Sequence, residues 1–154
     1  MSTATIKENN IKLQLTRVFD APRELVFRAW TDPAQFTQWC GPQGFGVTVL
    51  EMDVRPGGAW RKRLRSPEGV DYWRSGTYRE VVAPERLVFT YESDDPAGIA
   101  GFETLVTIDF IAQGGKTLMK FRQGAFESAA TLASHTGGWT SAFERFSQFL
   151  SGSR

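Results

Sequence analysis

Apolar and polar residues alternate across 11–19, with Ile11, Leu13 and Leu15 set against Lys12, Gln14 and Thr16. That period of two predicts a half-buried strand. Asp20-Ala21-Pro22 ends it, with Asp20 read as a helix N-cap and Pro22 in the first helical turn. Leu25, Val26, Ala29 and Trp30 then recur at helical spacing. Asp32-Pro33 stops that helix and opens a second short one, ending near Trp39. Strands follow over 45–54, 59–65, 70–82, 86–92, 102–112 and 116–123. They are separated by turn signals such as Arg55-Pro56-Gly57-Gly58, Ser66-Pro67-Glu68-Gly69 and Gln113-Gly114-Gly115. The loop 93–101, with Asp94-Asp95-Pro96, is the longest break. Short connections imply antiparallel pairing, because parallel neighbours need long crossovers.

After Gly124 the period changes. Leu132, His135, Trp139, Phe143, Phe146 and Leu150 fall on one stripe, which predicts a helix over 128–150, about 35 Å long. A sheet with one face to cover and a single large amphipathic helix to cover it predicts an α+β fold. A curved antiparallel sheet of about six or seven strands wraps around the C-terminal helix, with two short helices after the first strand. Gly137 and Gly138 lie mid-helix, each costing up to about 1 kcal/mol relative to Ala. They serve either close packing on the sheet or room for a ligand.

The 154 residues fit one domain, with 1–10 as a flexible leading segment. Eighteen Lys plus Arg against seventeen Asp plus Glu give no reason to expect a nucleic acid or an anionic membrane. The chain shows neither a signal core nor an apolar run of spanning length, so a cytoplasmic protein without membrane insertion is expected. With one His and the single Cys40, a zinc site and an internal disulfide are not expected, and no metal or cofactor is called for. Neither a phosphate-binding glycine loop nor a nucleophile elbow is present. The distinctive feature is the five Trp, twelve Phe and three Tyr; a large aromatic core accounts for most of them, and a concave, partly polar cavity is the other explanation.

Several segments resemble the START-like, birch-pollen-allergen-like helix-grip superfamily. They are Arg17-Val18-Phe19-Asp20-Ala21-Pro22, Val26-Phe27-Arg28-Ala29-Trp30, Trp39-Cys40-Gly41-Pro42, Asp53-Val54-Arg55-Pro56-Gly57-Gly58, Gly76-Thr77-Tyr78, Pro84-Glu85-Arg86-Leu87 and Gly138-Trp139. Within the superfamily they resemble the branch named after activators of the heat-shock chaperone ATPase, in its stand-alone bacterial form. The resemblance implies the helix-grip fold and a link to hydrophobic-ligand binding or stress response. The superfamily includes lipid carriers, hormone receptors and polyketide cyclases. Its eukaryotic chaperone activators carry a further N-terminal domain, and residues 1–10 are not expected to supply one.

Strand parity selects the candidate site. Phe89 and Tyr91 share a face, as do Val106 and Ile108; Met119, Phe121 and Gln123; and Trp60, Lys62 and Leu64. With these faces inward, the ligand-binding set is Trp39, Trp60, Lys62, Phe89, Tyr91, Val106, Ile108, Met119, Phe121, Gln123, His135 and Trp139. Its polar points, Lys62, Tyr91, Gln123 and His135, suit a small-molecule cleft. His135 is expected to meet Gln123 or the polar end of a ligand. Trp39-Cys40-Gly41-Pro42 serves as an entrance wall or a structural anchor. Arg61, Arg63 and Arg65 are read as a solvated face, and Asp53 with Arg55 as a structural ion pair. No catalytic residue is assigned. The expected function is non-catalytic binding of a small apolar ligand. The alternatives are a cyclase- or hydrolase-like enzyme in the same cavity and a chaperone-interacting module; a homodimer is compatible with all three.

Overall fold

The structure, a computed structural model, describes residues 11–93, 103–126 and 128–152. The leading segment 1–10 expected to be flexible, most of the loop expected over 93–101 and the expected first residue of the sixth strand, Phe102, lie outside the described residues. Seven strands form one antiparallel sheet in the order β1-β7-β6-β5-β4-β3-β2. They are β1 Lys12–Phe19, β2 Gly46–Met52, β3 Ala59–Arg65, β4 Asp71–Val82, β5 Arg86–Ser93, β6 Thr104–Gln113 and β7 Lys116–Gly124. Between β1 and β2 lie α1 Arg23–Thr31 and α2 Pro33–Trp39, and α3 Ala129–Gly152 closes the fold. Among the described residues only the β1–β7 pairing joins distant segments; every other pairing links strands adjacent in sequence.

Among the boundaries that shift from the sequence reading, two have a plain physical cause. Pro22, not Asp20, occupies the N-cap position of α1, with no side-chain cap. Its fixed φ suits a helix entry without one. The second strand ends at Met52 because Asp53 N–H turns to Ala59 C=O at 2.9 Å, starting the turn through Gly58. Asp53 and Arg55 pair across that turn at 2.9 Å. The entry to α2 matches its sequence signals: Asp32 accepts from Ala34 N–H at 3.2 Å, and Pro33 follows it.

One face of the sheet and the stripe of α3 enclose the core. Trp30 of α1 stands at its centre, against the rings of Trp39, Phe121, Trp139 and Phe146. Trp39 stacks on Phe146 at 4.0 Å and donates its indole N–H to Ala29 C=O. The two halves of α3 differ. Phe143, Phe146 and Leu150 are buried in its C-terminal half. The N-terminal half carries Ser134 and Gly138, too small to fill the space beneath them.

Candidate functional site

Small side chains on the first half of α3 leave a cavity of about 260 Å³ between helix and sheet. From the helix, Ser134, His135, Gly138, Trp139 and Ala142 reach it. Lys62 and Leu64 of β3, Tyr72 and Arg74 of β4 and Tyr91 of β5 form the opposite wall. The segment after α2 closes one side through Cys40, Gly41, Pro42 and Phe45. A Cβ on Gly138 would meet nothing nearer than Pro42 Cγ at 3.8 Å, and one on Gly137 would meet nothing within 4 Å. Gly138, which lines the cavity, therefore leaves space there, whereas Gly137 is exposed and lies off the cavity wall.

The wall after α2 is held from the helix. Arg145 directs one guanidinium nitrogen, Nη1, at the carbonyls of Cys40, Gly41, Pro42 and Phe45, all within 3.3 Å. Ser141 Oγ accepts from Gln43 N–H at 2.8 Å. Gly41 turns the chain at φ +89°, a conformation side chains rarely adopt, and a Cβ there would crowd Leu64 and Val47. Loop, helix and β3 are thereby fixed relative to one another.

Lys62 is the central chemical feature. Alternation along β3 buries Trp60, Lys62 and Leu64 together, and Lys62 is 2% exposed. Its ammonium donates to Cys40 Sγ at 3.2 Å. It lies 5.0 Å from the ring centre of Tyr91, 5.3 Å from those of Trp139 and Phe36, and 5.6 Å from that of Trp60. Burial works against its charge, but Cys40 and Tyr91 more than offset that and hold the ammonium above the ordinary lysine value. Among the described residues no carboxylate forms an ion pair with it. Arg74 faces it directly across the β3–β4 ladder and lines the same cavity.

Gly76 explains how the neighbouring Trp60 is seated. It pairs with Trp60 across the ladder, and a Cβ on it would fall on Thr90 C=O and the Trp60 indole. The bare position lets that indole cross β4 and donate to Thr90 C=O at 3.1 Å.

The structure brings Lys62, Tyr91, His135 and Trp139 of the sequence-derived set onto the cavity wall. Trp60 and Phe89 line, with Lys62 and Trp139, a separate void of about 20 Å³ on the core side. Trp39, Val106, Ile108, Met119, Phe121 and Gln123 reach neither space and are packed in the core. Parity identifies the inward face, but it does not say where the helix stands away from that face. Gln123 does not wait for His135. Its carbonyl accepts from the Trp139 indole at 2.7 Å, and its amide donates to Thr104 at 2.9 Å, so it orients the cavity's largest ring. His135 packs its ring against Tyr91 and Phe126. Sequence reasoning missed Tyr72, Arg74, Phe45 and the tether Arg145.

Outside the cavity, Arg61 and Arg63 lie over Trp73, while Arg65 pairs with Asp71 at 2.7 Å. No group of His, Cys, Asp and Glu among the described residues could hold a metal ion. No helix among them is long and apolar enough to cross a membrane.

A family model for Activator of Hsp90 ATPase homolog 1-like protein matches residues 20–151. No curated protein matches the chain. Among solved structures, a protein from Chromobacterium violaceum is 28% identical over 90% of this chain and 95% of its own, with a TM-score of 0.82. The AHSA1 protein from Silicibacter pomeroyi is 26% identical over 93% of this chain and 99% of its own, with a TM-score of 0.84. A solution structure from Arthrobacter aurescens, 22% identical over 92% and 87% of the two chains, has a TM-score of 0.83 and speaks to the fold alone.

Proposed function

The chain belongs to the family of Activator of Hsp90 ATPase homolog 1-like proteins, and on that premise we propose that it binds a small hydrophobic molecule, without catalysis, between its sheet and C-terminal helix. One observation carries the reading: the 260 Å³ cavity is walled by aromatic rings and a few placed polar groups, the usual composition of a ligand site. A dry cavity of about 150 Å³ takes benzene, so this one suits a ligand of roughly ten non-hydrogen atoms. The helix stripe and the Arg145 tether pre-form the walls, which lowers the ordering cost of binding.

Titration with a naphthalene-type fluorophore tests this. Trp139 on the wall should be quenched, with a Kd of about micromolar order. Gly138→Leu, which places a side chain in the cavity, should abolish the quenching while leaving the fold intact. Undiminished quenching in that variant would move the binding site elsewhere.

A further inference from the structure

The cavity contains a charge arrangement that an apolar ligand alone does not explain. Lys62 and Arg74 are directly opposed on adjacent antiparallel strands. Like charges so placed oppose folding, and Arg74 does act against the charge on Lys62. Among the described residues neither makes an ion pair, although other arginines of this sheet find carboxylates: Arg65 has Asp71, and Arg86 has Glu80 and Asp109. Arg74 spends one N–H on Trp73 C=O and leans on Tyr72. Among the described residues Lys62 has a thiol and ring faces to donate to. Both side chains line the 260 Å³ cavity.

Building on the ligand-binding reading above, we infer that the ligand is a small aromatic monocarboxylate, its carboxylate seated by Lys62 and Arg74 and its ring against Trp139, Tyr91 and Phe45. An incoming carboxylate would supply the anion missing from this pair and relieve its repulsion. A carboxylate also suits the donor count better than a phosphate, which carries more charge into a site with one buried ammonium and one half-buried guanidinium. The rings lining the rest of the cavity favour a flat apolar body over a long flexible chain.

Isothermal titration with 3-phenylpropionate and its neutral isostere 3-phenylpropanamide tests the inference on the full chain. The wild type should bind the acid about 10- to 100-fold tighter than the amide, the range for a hydrogen bond to a charged group. Lys62→Met and Arg74→Met should each bring that ratio toward one while leaving amide affinity little changed. Should Lys62→Met fail to fold, Arg74→Met alone decides. Equal affinity for acid and amide in the wild type would overturn the carboxylate seat and leave the ligand cavity standing. An acid preference that survives in the variants would overturn the assignment to these two residues. Failure of both probes to bind at about 1 mM, the limit of weak binding, would overturn the cavity reading and this inference with it.

Discussion

Lys62 shows how opposing forces can meet on one side chain. Its charge is buried among four rings beside a thiol, with a second cation across the ladder. Cation–π attraction contributes about 2 kcal/mol at a desolvated site, and Cys40 and Tyr91 favour the charge as well, against a desolvation penalty of several kcal/mol for a buried ion. These terms largely cancel, which leaves Lys62 little net weight in stability and accords with the ligand role proposed for it. Lys62→Met should therefore leave unfolding free energy unchanged or raise it by about 1–2 kcal/mol in denaturant melts. A loss of more than about 2 kcal/mol would mean that the ring cage is structural. Its burial was legible from the alternation of β3, which places Trp60, Lys62 and Leu64 on one face. Arg74 was not legible. A register shift between Tyr78 and Glu80 and the bare Gly76 disturb the alternation of β4, whose burial does not follow a period of two.

At the scale of elements, α3 is two helices in one: a C-terminal half that packs and an N-terminal half that stands off. Trp139 is the hinge between these roles, 5% exposed, in contact with Trp30, Phe121 and Phe143, and hydrogen-bonded to Gln123. Trp139→Ala should cost about 3–5 kcal/mol of stability, read from chemical melts, because it opens a void and strands a buried amide oxygen. A cost below about 1 kcal/mol would contradict the packing. Gly137→Ala should instead stabilise by about 0.5–1 kcal/mol, since nothing lies within 4 Å of a Cβ there and only helix propensity changes. The helix and its stripe were legible from periodicity, whereas the stand-off was not. It depends on what the sheet presents beneath each turn and on the Arg145 tether to a loop roughly a hundred residues away. Local patterns do not encode such long-range contacts. Arg145→Met should free that loop and weaken ligand binding more than it lowers the melting temperature; the reverse order would make the tether purely structural.

At the scale of the whole molecule, alternating strands, short turns and one amphipathic helix were enough to specify a sheet folded around a helix. They left the cavity's position open, because an inward face is a property of a strand and a cavity is a property of everything packed against it. The central claim is that the space between the first half of α3 and strands β3 to β5 admits a small apolar molecule. The most direct test is a two-dimensional amide NMR titration with the neutral probe 3-phenylpropanamide. Saturable shifts are expected at Gly41, Lys62, Tyr91, His135 and Gly138, with the outer face of Arg61, Arg63 and Trp73 unmoved. Shifts confined to that outer face, or none at all, would contradict the claim.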